Sequence, residues 1–79
     1  MSTKPTIVWS QTRCSFCDQA KALLAVNGIA FEERLIGDGY TKQDLLDAVP
    51  TARSVPQIFL NGEYIGGFDQ LKKKLQENK

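Results

Sequence analysis

The sequence predicts an α/β fold: one four-stranded mixed sheet with three helices, in the order strand, helix, strand, helix, strand, strand, helix. Three observations carry that expectation. β-branched and apolar runs of strand length alternate with segments of helical periodicity. Asn61-Gly62 separates two such runs as a hairpin turn does. A chain of 79 residues, 42% of them apolar, holds one core and not two, so residues 1–79 are expected to form a single domain.

Each element has its own signal. "TIVWS" at 6–10 is a β-branched and aromatic run bounded by polar residues, and reads as a buried strand. From Phe16 onward, apolar residues at 16, 20, 23 and 24 follow helical spacing, and Asn27-Gly28 supplies the stop. "IAFEERLI" at 29–36 is a strand interrupted by charges, as at a sheet edge, and is broken by "GDG" at 37–39. Thr41, with Asp44 three positions on, forms the cap pair of a short helix that Pro50 closes. "VPQIFL" and "EYIGG" flank Asn61-Gly62, whose residues suit the positive φ angles of a tight hairpin. Phe68, Leu71 and Leu75 place one apolar stripe on a last helix that needs a sheet to lie on. The short first crossover makes strands one and two parallel, and the hairpin supplies the antiparallel part.

Composition narrows the function. Ten Lys plus Arg against nine Asp plus Glu leave a net charge of +1, too little to draw nucleic acid or an anionic membrane. Lys72, Lys73 and Lys74 lie in the last turns of the terminal helix, where cations complement its carbonyl end, and read as a solvated face. The lead "MSTKPTIVWS" lacks the apolar stretch of a secretory signal, and no segment approaches a membrane span. A soluble protein of the cytoplasm is expected.

Both cysteines stand in "RCSFCDQAKALL", residues 13–24, three positions apart at the head of a helix. In a reducing compartment such a pair is catalytic or metal-binding rather than a permanent staple. A closed zinc site needs four ligands, and two cysteines without histidine require carboxylates or a second protomer, as a zinc-dependent interaction module would. Structural thiols belong in apolar runs, whereas Arg13, Ser15, Asp18 and Gln19 surround these. Thiol exchange fits better. Cys14 lies beside the unsatisfied N–H groups and positive dipole end of the helix, which favour thiolate, and Cys17, one turn inward, can attack a mixed disulfide formed there. Arg13 either supports the thiolate or grips an anionic substrate, or is an ordinary exposed arginine. Phe16 reads as a partly exposed lid over the thiols or a substrate surface.

The cysteine motif, "SVP" at 54–56 and "GGFDQL" at 66–71 together resemble the three signatures of glutaredoxins, small thioredoxin-fold redox proteins. "CDQAKALL" with "GGFDQL" is most similar to the members from tailed bacteriophages. The resemblance implies that Cys14 is the nucleophile and Cys17 resolves the protein disulfide. It implies a cis Pro56, leaving the Val55 backbone to bond the cysteinyl part of glutathione as an added strand would. Gly66 and Gly67 would admit the γ-glutamyl end, the N–H groups near Phe68 and Asp69 would hold its carboxylate, and Asp69 would bind its ammonium or cap the helix.

The chain departs from the family pattern in four places. Ser15 and Phe16 replace the usual Pro and Tyr between the cysteines, Gln11 replaces a Lys or Arg expected at the glycyl carboxylate, and Gln70 replaces an acidic residue. Arg13 or Arg53 would then take the glycyl carboxylate. The function implied is glutathione-dependent reduction of protein disulfides and glutathione mixed disulfides by a monomer, with ribonucleotide reductase as a protein substrate. Two alternatives share the fold. One is a dimer holding a 2Fe-2S cluster through Cys14, as in some glutaredoxins with serine after the first cysteine. The other is a redoxin recharged by thioredoxin reductase.

Overall fold

A computed structural model describes residues 4–77, so the first three residues of the lead read for a secretory signal lie outside the described residues. The elements are β1 (Ile7–Gln11), α1 (Ser15–Val26), β2 (Glu32–Ile36), α2 (Lys42–Ala48), β3 (Gln57–Leu60), β4 (Glu63–Gly66) and α3 (Phe68–Glu77), the order the sequence predicts. The sheet runs β2-β1-β3-β4. β1 and β2 are parallel, with Val8 beside Glu33 and Ser10 beside Leu35, and the β1-β3 and β3-β4 pairs are antiparallel.

Successive side chains of a strand point to opposite faces, and β1 divides the core accordingly. Val8 meets Ala20 and Leu24 of α1, Ile58 and Leu60 of β3, and Leu71 of α3. Trp9 faces the other way, onto Leu45 of α2 and Val49. Two helices therefore cover one face of the sheet and one covers the other. Cys17, Ala20 and Leu24 are the buried stripe of α1, and Leu71 is the fully buried member of the apolar stripe on α3. Among the described residues no helix is long and apolar enough to cross a membrane.

Local chemistry sets most boundaries. Thr41 and Asp44 close the reciprocal capping box the sequence predicts, each side chain bonded to the other's backbone N–H at 3.1 and 2.8 Å. Asn61 and Gly62 take φ of +52° and +85°, turning the hairpin. All four expected strands have different limits; β4 ends at Gly66 rather than Gly67, whose N–H is taken by the Gln70 side chain. β2 begins at Glu32 rather than Ile29, because the Ile29 N–H is spent on the Leu24 carbonyl (3.0 Å) in closing α1, and pairing starts where the Glu32 N–H reaches Thr6 (2.8 Å). β3 begins at Gln57 rather than Val55, since Pro56 brings no N–H to a ladder. β1 is displaced by one residue, so that Gln11 ends it.

Candidate functional site

The site is built where β1 hands over to α1. Arg13 has a φ of +59°, the left-handed turn that carries the chain from the end of β1 into the helix, and Cys14 follows in an extended conformation (φ −116°, ψ 101°) as the residue capping α1. Its sulfur takes the place of the usual capping oxygen: Sγ accepts a hydrogen bond from the Cys17 N–H at 3.1 Å. The two cysteines are joined as a disulfide, their Cα atoms 5.2 Å apart. Cys17 is wholly buried on the core side of α1, whereas Cys14 is partly exposed. A reactant therefore reaches the first sulfur and not the second. In the reduced pair the same N–H and the dipole of α1 stabilise negative charge on Cys14.

The Cys14 sulfur lies 3.8 Å from the Val55 carbonyl oxygen, and the Val55-Pro56 peptide is cis, as the resemblance implies. This segment separates two surface depressions that share Ser54 and Val55 as a common wall. The first, of about 220 Å³, lies between Phe16, Pro56, Gly67, Phe68 and Asp69. Phe16 is 57% exposed, with its ring centroid 6.0 Å from that of Phe68, which gives the depression an aromatic flank next to the disulfide. The second, of about 330 Å³, has Gln11 and Arg53 on its margin and runs toward α2.

The sequence-derived candidates thus fall into groups. Phe16, Val55, Pro56, Gly67, Phe68 and Asp69 gather in the first depression; Gln11, Arg53 and Val55 border the second. Arg13 is exposed and lines neither. Gly66 has a φ of +107° and lies under the side chain of Gln70, whose Cγ would stand 3.0 Å from an added Cβ, so its immediate neighbour is that side chain. Gln70 also accepts from the Gly67 N–H at 3.0 Å, the backward half of a capping box, so the helix start is capped through Gln70, where the sequence offers Asp69 as the cap. The Phe68 and Asp69 N–H groups, which open α3, have no carbonyl one turn back within the helix to receive them.

Three features escaped the sequence reading. Lys42, at the start of α2, stands over the second depression, which only tertiary packing brings beside Gln11. Ser54 lines both depressions, and its only signal was its place in "SVP". Behind α1, the fully buried Ser10 donates to Glu33 Oε2 (2.7 Å), which also receives Lys21 Nζ (2.6 Å). The hydrogen bond from Lys21, then that from Ser10, hold the Glu33 carboxyl below its ordinary value, and the Glu33 bond raises Lys21 above its own. Among the described residues no group of three or more His, Cys, Asp or Glu comes together to hold a metal ion.

The comparisons with known proteins agree with this geometry. A family model described as Glutaredoxin matches residues 3–65. Glutaredoxin 3 of Escherichia coli is 34% identical over 64 residues, which are 81% of this chain and 77% of that protein. A hybrid peroxiredoxin of Haemophilus influenzae is 39% identical over 66 residues, 84% of this chain but only 27% of the larger protein. In structure, a buckwheat glutaredoxin-glutathione complex superposes with a TM-score of 0.80 at 28% identity, covering 95% of this chain and 71% of that one. The sheet and its three helices are a thioredoxin-like fold.

Proposed function

The chain belongs to the glutaredoxin family, whose activity is thiol-disulfide exchange, and from that premise we propose that it is a dithiol enzyme that reduces protein disulfides and glutathione mixed disulfides at the expense of glutathione. One observation carries the reading: the accessible sulfur, Cys14, caps a helix and receives the N–H of the buried sulfur's own residue, Cys17.

The Cys14 thiolate attacks one sulfur of a substrate disulfide, forming a mixed disulfide and expelling the other sulfur as a thiolate, which takes a proton from water. Cys17 gives its proton to solvent, attacks the Cys14 sulfur and releases the second substrate thiolate. Two electrons pass from the thiol pair to the substrate, leaving the Cys14–Cys17 disulfide. Two glutathione molecules return them. The first opens the pair by joining Cys14, and the second attacks the glutathione sulfur and leaves as glutathione disulfide.

In this reading glutathione lies along Val55, whose main chain pairs with its cysteinyl part. The buckwheat relative, by its description, binds glutathione. The γ-glutamyl end enters the first depression, its carboxylate meeting the open N–H groups of Phe68 and Asp69 and its ammonium meeting Asp69. Phe16 flanks it. The glycyl carboxylate turns toward Gln11 and Arg53. Close-spaced thiols doing this work suit a reducing compartment such as the cytoplasm. The phage-like motifs favour ribonucleotide reductase as the protein substrate.

The test is turnover of a small glutathione mixed disulfide and of a protein disulfide by wild type, Cys14→Ser and Cys17→Ser. Cys14→Ser is expected to be inactive on both. Cys17→Ser keeps activity on the small substrate and loses it on the protein. Equal activity of all three would refute the mechanism. Supplying electrons from thioredoxin reductase alone, in place of glutathione and its reductase, is expected to support turnover no better than glutathione does.

A further inference from the structure

We propose that the second depression reads the residue after the target cysteine of a protein substrate, and that it selects a large apolar residue with a carboxylate just beyond it. The proposal rests on the glutathione reading, which sends whatever precedes the reacting cysteine over α3. The chain that follows that cysteine must then leave Val55 on the other side, across the wall that Ser54 and Val55 share with the larger depression.

That depression is more than a glycyl residue fills. Its volume, about 330 Å³, is at the lower end of pockets that enclose organic ligands. Its apolar surface comes from Ile36, Leu45, Leu46 and Ala52, and its charged groups are Lys42 and Arg53, with no carboxylate among the lining residues. A glycine offers one methylene and a carboxylate: it can meet the cations but leaves the apolar floor in water. A leucine, methionine or phenylalanine covers that floor, and a carboxylate after it, from a chain terminus or an acidic side chain, meets two cations and no anion. The occupant is therefore a protein segment in which the target cysteine is followed by an apolar and then an acidic group.

Mixed disulfides of γ-Glu-Cys-Gly, γ-Glu-Cys-Leu and γ-Glu-Cys-Leu-amide with one chromophoric thiol test this. Attack of Cys14 on the peptide sulfur expels the chromophore, so each rate is read in a single turnover of the reduced enzyme. One methylene in an apolar pocket shifts kcat/KM by about 10-fold or more, so the leucine peptide is expected to react at least about tenfold faster than the glycine peptide. Leu46→Asn removes part of the apolar floor without adding a charge, and is expected to bring the leucine peptide down to the rate of the glycine peptide in the same variant. Lys42→Glu slows the leucine acid but not its amide. Lys42 is exposed and opens α2, where an acidic residue suits the helix dipole, so this variant folds even where Leu46→Asn does not. Equal rates for the glycine and leucine peptides, both well above that of a mercaptoethanol mixed disulfide, overturn this inference alone. If γ-Glu-Cys-Gly reacts no faster than the mercaptoethanol compound, the glutathione reading falls and this inference falls with it.

Discussion

The Cys17 N–H donates to Cys14 Sγ across 3.1 Å, so the sulfur assigned to exchange chemistry is also the cap of the helix that carries its partner. Reactivity and local stability are thereby tied to one atom. A serine at position 14 keeps an acceptor for the same N–H, and an alanine does not. In reductant, Cys14→Ala is expected to be less stable than Cys14→Ser by about 1 kcal/mol. Urea unfolding of the two variants checks it, and indistinguishable midpoints would show that the cap contributes nothing.

The same pair predicts unequal reactivity. Cys17 is 0% exposed and Cys14 partly exposed, and only Cys14 stands at the positive end of α1. Iodoacetamide at neutral pH is expected to modify Cys14 of the reduced protein first, about tenfold or more faster than a free thiol peptide, and to spare Cys17 until the protein is unfolded. Mass mapping of a timed reaction separates the two sites. Modification of both at one rate would remove the asymmetry on which the two-step mechanism depends.

Asp69 and Gln70 divide two roles at the start of α3. Gln70 accepts the Gly67 N–H at 3.0 Å, so Gln70→Ala is expected to cost about 0.5–1 kcal/mol on thermal or urea unfolding. Asp69 is exposed in the first turn beside Phe68, so Asp69→Asn changes stability little, by less than about 0.5 kcal/mol, while raising KM for glutathione mixed disulfides several-fold. A stability loss in the Asp69 variant together with an unchanged KM would reverse the assignment.

How legible these features were in the sequence depends on how far apart their partners lie along the chain. The Thr41–Asp44 box and the Asn61-Gly62 turn are each set within four residues and stand where spacing alone puts them, and Cys14 stands at the head of α1 as expected, although its role as the cap shows only in the structure. Gln70 gives no capping signal when Asp69 is read as the cap, because a capping box is counted from the residue that precedes the helix and that reading moves the origin by two. The sequence extends β2 too far at its start because Ile29 and Phe31 have the apolar alternation of a strand, although the Ile29 N–H is committed to ending α1 and both side chains pack on the core. Lys42 and Ser10 were silent for a different reason. Their partners are at Gln11 and Arg53, and at Glu33, and only the parallel pairing of β1 with β2 and the packing of α2 bring them near.

The Ser10-Glu33-Lys21 group supplies a pH dependence whose sign is fixed by its hydrogen bonds. Glu33 is held below its ordinary value of 4.5, chiefly by the Lys21 ammonium and then by the Ser10 hydroxyl, with burial opposing. A carboxyl depressed on folding adds stability that is present above its unfolded value and is lost as pH falls through the folded one. Lys21, raised above 10.5 chiefly by Glu33, adds stability that is complete below that value and is lost as pH rises through the folded one. Between these limits the contribution is constant. Glu33→Gln retains an acceptor for Ser10 and loses the charge, so at pH 7 it is expected to be less stable by roughly 0.5–1 kcal/mol, the measure of a partly exposed ion pair. That gap closes as pH is lowered below about 4.5, and it narrows at pH 7 in 1 M salt. Urea unfolding of both proteins at pH 7 and at successive acid pH values checks the sign: a gap that widened toward acid would mean the carboxyl is raised on folding, and the bonds at 2.6 and 2.7 Å would not be what holds it.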